Sequence, residues 1–426
     1  MGNFNDVVRK LKELQSTIIS KGGKVNVAHT NPSPDELIAG VKSIETNRPQ
    51  VTAANGYAII VAERAGTKIK LYKEDTNTLV NEITIGSGGY VTFTVDSIGS
   101  YKAIAYNSEG TEIWFNSVSV NEPGVFNIKV GLPMESYSWD ELNEAAAEGY
   151  IKYMFNKWDS KKLSSFMGST TADHRTAYFI GSEHDDAVGG GKAGATFMIL
   201  TTKSKYKHWN TSNTNDNGVS WVGSLIRQNC LKAGEDYYTF DKTVTESTSG
   251  TYYVFDDVNG VFVEQTLPNN YVAGTKYYTK TTLEADGAFI AGLPEGFVNY
   301  LVQVKKRTWA GYGGDVTSET LAKLDSRVIE THDWMFAPSS SEVFGTTDRF
   351  TGTVFDKREL DGEQYEAFKE FKENRFRYSA DRWFRNPSVP SSNYFCYWAT
   401  SGYVYYYNAN ITYAVPLCFC IGNKSA

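Results

Sequence analysis

Four consecutive polar residues, Glu183-His184-Asp185-Asp186, form the densest group of potentially reactive side chains in the sequence. Carboxylates and imidazoles serve as metal ligands and as general acids or bases. Four adjacent side chains point in different directions, however, so their spacing favours a turn over a metal site. We therefore predict neither a metal ion nor a cofactor here.

A glycine-rich segment follows, and its sequence GGGKAG is similar to a phosphate-binding loop. That loop needs a glycine five residues before the Gly-Lys pair and a serine or threonine after it. Asp186 and Ala193 occupy those positions, so we predict no nucleotide site. Glycoside hydrolysis needs two carboxylates about 5 to 10 Å apart across a cleft, and the sequence singles out no such pair.

The four cysteines are Cys230, Cys396, Cys418 and Cys420. One residue separates the last two, which would therefore share a strand face. A zinc site would need Cys-x-x-Cys pairs or nearby histidines, and the five histidines are scattered. We expect buried strand cysteines and no catalytic residue, and we predict that the protein is not an enzyme.

Charge and hydropathy exclude several partners. The formal net charge of -7 gives no attraction for nucleic acid or anionic lipid. No apolar run approaches the roughly 20 residues that cross a bilayer, so we expect no membrane insertion. The first residues, MGNFNDVVRKLK, lack the apolar centre of a signal peptide, so Sec-type export is not expected.

Residues 1–48 have the periodicity of helices. Val7, Leu11, Leu14 and Ile18 recur at helical spacing, and NPSPDELIAGVKSI predicts a second short helix. The apolar stripe has no partner within the segment. We expect this segment to attach the chain to a larger particle or to form a homotrimer, and a simple cap on the next domain is the alternative.

Residues 51–132 change to the two-residue period of β-strands, as in YVTFTV. About seven short strands with Gly and Asn turns between them predict a β-sandwich. The segment from Asp96 to Ala103 resembles the tyrosine corner of immunoglobulin-like domains. Ala103 stands where antibody domains carry their second cysteine. We interpret this sandwich as a spacer.

Six motifs in order mark residues 136–426, which we call the head. They are SEHDDAVGGGKAGATF, LPEGFVNYLVQVKKRT, SSSEVFG, DRWFRNP, YFCYWATSG and VPLCFCI. Together they resemble a C-terminal domain common in phages and other mobile elements of gut bacteria. The resemblance implies a C-type lectin fold, in the branch shared with formylglycine-generating enzyme. The cysteine pair or copper site of the enzyme relatives has no match here, so catalysis is not implied.

One break interrupts the head. Residues 232–284, which we call the insertion, are rich in Tyr, Thr and Val and contain Asn259-Gly260, a strong hairpin turn. We predict a small β insertion of roughly three to five strands, either a second binding element or a decoration. The whole chain is predicted to be α+β, with N-terminal helices, an immunoglobulin-like β-sandwich and a C-type-lectin-fold head with a small β insertion.

Seven of the 28 tyrosines lie between Tyr394 and Tyr413. Many members of the family that the head resembles are variable proteins of diversity-generating retroelements. Mutated Asn codons in those systems reach Tyr, Asn, Ser, Thr, Ala, Ile, Asp and others, but not Lys, Glu, Gln, Met or Trp. Every residue of 399–413 belongs to the reachable set. The resemblance therefore implies a diversified ligand-binding surface at this position.

A tyrosine-rich core strand is the alternative interpretation. Tyr405-Tyr406-Tyr407 argue against it, because successive strand residues face opposite sides and cannot all be core. Tyrosine also suits a binding surface, since it presents a rigid amphipathic area with only two torsions to fix.

The predicted ligand-binding residues are mostly small residues and tyrosines, and all of them except Tyr406 are expected to be mostly exposed on one face. They are Tyr397, Ala399, Thr400, Ser401, Tyr403, Tyr405, Tyr406, Tyr407, Asn408, Asn410, Thr412 and Tyr413. The predicted scaffold beneath them consists of Trp383, Arg385, Phe395, Trp398, Val415 and Phe419.

Two classes of function remain open. The first is a receptor-binding protein at the tip of a phage tail, which binds a host cell-surface protein or glycan and contacts other phage tail proteins. Such a protein would be made in the bacterial cytoplasm and located in the virion. The second is a glycan-binding module or an enzyme on the formylglycine-generating-enzyme-like fold. We prefer the first, because tyrosine beside small polar residues is typical of antibody-like binding surfaces.

The first class makes a prediction about the genome. A near-copy of the coding sequence for residues 393–420, differing only at adenines, is expected beside a reverse transcriptase gene. Sequencing the flanking DNA checks this. A neighbourhood that lacks both elements would contradict the retroelement assignment.

Overall fold

A computed structural model describes residues 56–169, 172–200, 207–210, 220–256, 261–283, 288–309, 328–345, 361–373, 380–387 and 393–422. The predicted attachment segment, residues 1–48, lies outside these residues and remains a prediction. The described chain is α+β, because several antiparallel sheets dominate and the helices are short. No described helix is both long and apolar enough to cross a bilayer.

Residues 57–128 form seven strands in two sheets, with the orders β4-β1-β7 and β3-β2-β5-β6. The strands are β1 (Tyr57–Ala62), β2 (Lys68–Lys73), β3 (Thr78–Thr84), β4 (Tyr90–Val95), β5 (Gly99–Tyr106), β6 (Glu112–Val120) and β7 (Gly124–Ile128). Apolar and polar side chains alternate along β4. Val91, Phe93 and Val95 are all buried and form its core-facing side. Tyr101 is also buried, and its hydroxyl donates to the carbonyl oxygen of Ser97 at 2.7 Å.

A buried carboxylate joins this two-sheet unit to the head. Glu63 accepts a hydrogen bond from Trp114 Nε1 at 2.8 Å and another from the Tyr137 hydroxyl at 2.6 Å. Burial, and next the charge of Glu63, raises the pKa of Tyr137, so this hydroxyl stays a donor. Both units contribute to one continuous hydrophobic core. The unit that we interpret as a spacer therefore packs directly on the head.

The head is built on a central antiparallel sheet of order β8-β9-β10-β24-β16, with β19 also paired to β24. Its strands are β8 (Ser160–Lys162), β9 (Thr176–Ser182), β10 (Ala195–Leu200), β16 (Leu301–Val302), β19 (Met335–Phe336) and β24 (Pro416–Ile421). All residues of β10 and β24 are buried. Their sequences lack a polar alternation because both faces of these strands are covered.

Seven short α-helices lie around the sheets in the described part of the head. They are α1 (Trp139–Ala147), α2 (Ile151–Met154), α3 (Ala172–Arg175), α4 (Leu225–Gln228), α5 (Ala288–Ala291), α6 (Ser340–Phe344) and α7 (Glu366–Glu370). A capping box begins α1, in which Ser138 and Glu141 satisfy each other's backbone donors. Ser339 and Glu342 form the same motif at the start of α6. This motif fixes the Glu342 carboxylate at the start of α6.

Three smaller sheets complete the described part of the head outside the insertion. They are the three-stranded sheet β20 (Arg382–Pro387), β21 (Tyr394–Trp398) and β22 (Val404–Asn408), the pair β17 (Val304–Trp309) and β18 (Val328–Asp333), and the pair β11 (Lys207–His208) and β23 (Thr412–Tyr413). The order β20-β21-β22 places β22 at one edge of its sheet. An edge strand that leaves the core exposes side chains on both faces.

The insertion forms a four-stranded antiparallel sheet of order β12-β15-β13-β14. The strands are β12 (Asp236–Phe240), β13 (Gly250–Asp256), β14 (Val261–Leu267) and β15 (Tyr277–Thr282). Gly234 N donates to Leu283 O at 2.6 Å and Leu283 N donates to Glu235 O at 3.0 Å, so the chain enters and leaves at one point. A separate hydrophobic cluster, which includes Val222 and Ile329 of the flanking head, holds the sheet in place.

Removal of residues 236–282 and their replacement by a short glycine linker should leave the head folded. The reason is that the insertion's hydrophobic cluster is separate from the main core, and its two ends are already adjacent. Thermal unfolding of the shortened and full-length chains measures the effect. A large drop in melting temperature, with loss of cooperative unfolding, would show that the insertion is part of the core.

Candidate binding surface

The tyrosine-rich segment forms a hairpin at the edge of the β20-β21-β22 sheet. In the pairing of β21 with β22, Tyr397 lies opposite Tyr405 and Phe395 lies opposite Tyr407. Directly opposed residues share a face, and neighbours along each strand alternate between faces. The hairpin therefore has one face with Tyr397, Tyr405 and Tyr407, which we call the tyrosine face, and an opposite face with Tyr406.

The exposed fraction of each side chain separates surface tyrosines from partly covered ones. Tyr403 is 58% exposed, Tyr405 41%, Tyr406 42% and Tyr407 46%. The three consecutive tyrosines of β22 are thus all at the surface, as the strand-period argument predicts. Tyr397 and Tyr413 are half-buried at the base of the tyrosine face.

Four rings on the tyrosine face form a connected cluster. The Tyr413 ring lies 4.7 Å from Tyr397 and 6.3 Å from Tyr407, and Tyr397 lies 6.0 Å from Tyr405. Beneath them Trp383 is fully buried, with its ring 4.7 Å from that of Tyr413. The cluster is a broad aromatic patch on a rigid base.

Asp381 lies at the border of this patch. Its Oδ1 atom accepts a hydrogen bond from Thr400 N at 2.9 Å. Burial, and next the charge of Asp381, raises the pKa of Tyr397, and burial followed by Tyr397 and Asp381 raises that of Tyr413. Both hydroxyls therefore remain protonated at neutral pH and can donate to a ligand. Asp381 opens the DRWFRNP motif but was not among the predicted site residues, because the motif does not show which of its side chains lie beside the tyrosines.

Tyr406 is the predicted ligand-binding residue that was not expected on the common face. Its ring is turned to the opposite face of the hairpin, where it stacks on Tyr394 with 5.4 Å between ring centres. Cys396, its partner in the register, is buried on that same side. Successive side chains of a strand point to opposite faces, so Tyr406 lies on the other face from Tyr405 and Tyr407. Both faces of β22 are accessible at these positions, so all three tyrosines are exposed.

The turn between β21 and β22 contributes exposed Thr400 and Ser401, but the expected exposure of Ala399 is wrong. Ala399 is 7% exposed. Its N–H donates to Tyr403 O at 2.9 Å and its carbonyl accepts from Gly402 N at 2.9 Å, so the turn folds its methyl group inward. Gly402 has φ +76°, a value that strongly favours glycine and makes this a constant position of the turn.

The second turn, between β22 and β23, completes the predicted set. Asn410 is exposed, and Asn408 and Thr412 are half-buried. Ala409 between them is fully buried and its N–H donates to Asn393 O at 3.0 Å. Polar exposed residues thus flank a single inward alanine.

All six predicted scaffold residues are buried: Trp383, Arg385, Phe395, Trp398, Val415 and Phe419. Their contacts explain the rigidity of the surface. The Phe395 ring stacks on Trp209 with 3.8 Å between ring centres, and Trp398 stacks on Phe384 at 6.3 Å. Substitutions on the tyrosine face can therefore occur over a base that is already packed.

Arg385 belongs to a buried chain of four charges that the sequence does not reveal. Lys306 Nζ lies 2.6 Å from Asp185 Oδ1 and 2.7 Å from Glu342 Oε1. Arg385 binds both carboxylate oxygens of Glu342. We call Asp185, Lys306, Glu342 and Arg385 the buried charge chain, and none of the four is more than 4% exposed.

Neutral donors complete the hydrogen bonding of this chain. Asp185 also accepts from Thr196 Oγ1 at 2.6 Å and from the Tyr365 hydroxyl at 3.0 Å. Arg385 Nε donates to Thr308 Oγ1 at 3.0 Å. Two anions and two cations balance, which is the arrangement that makes buried charges tolerable.

The electrostatics keep all four groups ionised. Burial raises the pKa of Asp185, but the charges of Lys306 and His184 and the hydrogen bonds from Lys306 and Thr196 together outweigh it, so the pKa lies below its usual value. Burial also raises the pKa of Glu342, but the charges of Arg385 and then Lys306 lower it, so the pKa lies below its usual value. Burial lowers the pKa of Lys306, yet Asp185 and Glu342 raise it above the usual value.

The Glu183-His184-Asp185-Asp186 segment is a turn whose side chains diverge. Glu183 pairs with Lys152 at 2.5 Å, the His184 ring packs on Tyr365, and Asp186 pairs with Lys192 at 2.7 Å. Within the described residues, no group of three or more His, Cys, Asp or Glu side chains is arranged to hold a metal ion.

The four cysteines are buried and are not disulfide-bonded. Burial raises the pKa of the Cys230, Cys418 and Cys420 thiols well above the usual value. A thiolate nucleophile is therefore disfavoured at these three positions.

Comparison with known proteins gives no family. No family model matches the chain and no curated protein matches it. Among solved structures, the pilus adhesin RrgA from Streptococcus pneumoniae is 11% identical with a TM-score of 0.13, over 54% of this chain and 33% of that chain. The chain thus spans about a third of that adhesin.

Replacement of Asp185 by Asn should destabilise the protein by about 3–5 kcal/mol at pH 7, because Lys306 loses one of its two buried anions. The folded pKa of Asp185 lies below the unfolded value of about 4. Its stabilising effect is therefore present above about pH 4 and disappears as the pH falls through the folded pKa. Urea unfolding from pH 7 to pH 2 should show the two proteins converging in acid.

Asp186→Asn is the matched control, since Asp186 is the next residue and its ion pair with Lys192 is exposed. We expect its free energy of unfolding to change by no more than about 1 kcal/mol. Equal effects of the two substitutions would contradict a special role for the buried charge chain.

Proposed function

We propose that this protein is a receptor-binding protein whose tyrosine face contacts a ligand on a host cell. The observation that carries the proposal is the contrast within one hairpin. Tyr403, Tyr405 and Tyr407 are exposed, while Trp398, one of the residues that retroelement diversification cannot produce, is buried beneath them. A diversified surface requires this separation of changeable from constant positions.

The size of the surface fits the proposal. A typical protein interface buries about 800 Å² on each partner, and a tyrosine contributes about 150–250 Å² when buried. With exposed fractions of 58%, 41% and 46%, Tyr403, Tyr405 and Tyr407 offer about 220–360 Å², and the half-buried Tyr397 and Tyr413 add to this area. Thr400, Ser401 and Asn410 add adaptable hydrogen bonds around the aromatic patch, as Ser and Asn do in antibody loops.

The finer fold assignment is part of the same proposal. We assign the head to the C-type lectin fold, because the motifs of the resemblance converge in space. Asp185, Glu342 and Arg385 come from three separate motifs and meet in the buried charge chain. For residues 51–132, the hydrogen bond from Tyr101 to Ser97 O supports an immunoglobulin-like sandwich with a tyrosine corner.

The biological setting follows from the resemblance. The protein is proposed to be the variable protein of a diversity-generating retroelement, carried at the tip of a phage tail in the virion. Residues 1–48 would attach it to other tail proteins and form the homotrimer. The ligand is a host cell-surface protein or glycan, and no part is assigned to nucleic acid or membrane insertion.

An enzyme on the same fold has less support. All four cysteines are buried, and burial raises the pKa of three of them. The resemblance supplies no catalytic residue, and the surface rich in exposed tyrosines is suited to binding.

Replacement of Tyr403, Tyr405 and Tyr407 together by Ser should abolish binding to host cells, because aromatic anchors dominate such interfaces. The melting temperature should change little, since surface substitutions usually cost no more than about 0.5 kcal/mol each. Labelled protein added to host cells measures the first effect and thermal unfolding the second. An unfolded variant would show that these tyrosines belong to the core.

Tyr405→Ser and Tyr406→Ser form a matched pair, because the two residues are adjacent and equally exposed but lie on opposite faces. We expect Tyr405→Ser to weaken cell binding by about tenfold or more and Tyr406→Ser to leave it within about twofold. The reverse order would place the binding surface on the opposite face of the hairpin.

A further inference from the structure

A cavity of about 340 Å³ lies between the insertion and the β17–β18 pair of the head. Both parts line it, β12, β13 and β14 on one side and β18 on the other. Small-molecule sites have volumes of about 300–1,000 Å³ and are common where two structural units meet. None of its lining residues belongs to the predicted binding segment at 397–413.

Aromatic rings form the wall that the insertion supplies. Tyr238 and Phe262 stack in parallel with 3.9 Å between ring centres, and Phe255 lies 5.3 Å from Phe262. Tyr238, Phe255 and Phe262 are large aromatic residues of a small sheet, yet all three are only half-buried. Together they supply apolar area to the lining of the cavity.

Polar groups of Glu235, Gln303 and β18 form the rest of the lining. Gln303 Nε2 lies 3.3 Å from Glu235 Oε1, which also accepts from Trp334 Nε1 at 2.7 Å. Glu330 and His332, both exposed, lie with Oε1 and Nε2 3.4 Å apart. The wall therefore combines fixed acceptors with amide and imidazole donors.

The charges around the cavity are largely balanced. Asp236 pairs with Lys280 at 3.3 Å, and Arg227 pairs with buried Asp333 at 2.8 Å. Glu330 lies near both His332 and Lys305. The remaining lining carboxylate, Glu235, is met by the neutral donors Gln303 and Trp334. The cavity therefore offers hydrogen bonds without an excess of positive charge, which disfavours an anionic ligand.

We propose that this cavity binds an uncharged pyranose sugar. A pyranose ring has one face of C–H groups, which fits the Tyr238–Phe262 wall, and a rim of hydroxyls that both donate and accept, which fits Glu330, His332 and Gln303. The cavity volume accommodates one such ring. The insertion then acts as a second recognition element, separate from the tyrosine face.

The test uses the full-length protein and ligand-observed saturation-transfer NMR. The probes are the methyl pyranosides of glucose, galactose, mannose and N-acetylglucosamine, with glucuronate as the charged comparison. We expect transfer to at least one uncharged pyranoside and weaker transfer to glucuronate. The double variant Glu330→Ala/His332→Ala should reduce the affinity by about tenfold, which is ~1.4 kcal/mol, and Phe262→Leu should reduce it because the flat ring is lost.

Two controls make the result specific. Glu246→Ala/Thr266→Ala changes two exposed residues of the insertion that do not line the cavity, and its affinity should match that of the unchanged protein. The Tyr403, Tyr405 and Tyr407 triple Ser variant should also keep the sugar. The proposal fails if no uncharged pyranoside gives transfer, if the Glu330→Ala/His332→Ala variant binds normally, or if the triple variant loses the sugar. In the last case the sugar lies on the tyrosine face and the proposed function gains a ligand.

Discussion

The buried charge chain is the interaction on which the head depends. Asp185 follows β9, Lys306 is in β17, Glu342 is in α6 and Arg385 is in β20, so one network ties four separated segments together. Each ion would cost several kcal/mol to bury alone. The network is tolerable only when all four groups arrive with their hydrogen bonds complete. It therefore favours one arrangement of these segments over others in which a charge would be left unpaired.

This network also supports the surface that we propose to be variable. Arg385 anchors β20 through its buried ion pair with Glu342. β20 pairs with β21, and β21 pairs with β22. Stability thus resides in buried residues such as Arg385, Trp383 and Phe395, whereas the exposed side chains of β22 contribute little to the core. A surface with that division of roles can change its side chains without a cavity cost, which for large buried residues is about 2–5 kcal/mol.

The insertion follows a different principle. It carries its own hydrophobic cluster and closes its ends through Gly234, Glu235 and Leu283, so the head does not depend on it for its main core. Its aromatic rings nevertheless remain half-exposed toward β18. An element that only decorated the fold would gain more by burying Tyr238 and Phe262 fully, because burial of aromatic area is strongly favourable.

The sequence by itself determined what depends on neighbouring residues. The alternation of Val91, Phe93 and Val95 decided a buried face, and Tyr405-Tyr406-Tyr407 had to include surface positions, because strand geometry repeats every two residues. Only the tertiary structure decided which face Tyr406 occupies, that the Ala399 methyl group turns inward, and that Lys306 lies beside Asp185. Those outcomes depend on strand register, turn geometry and contacts between segments 121 residues apart. A local pattern of polarity carries no information about such distances, so the charges looked like surface residues until the fold brought them together.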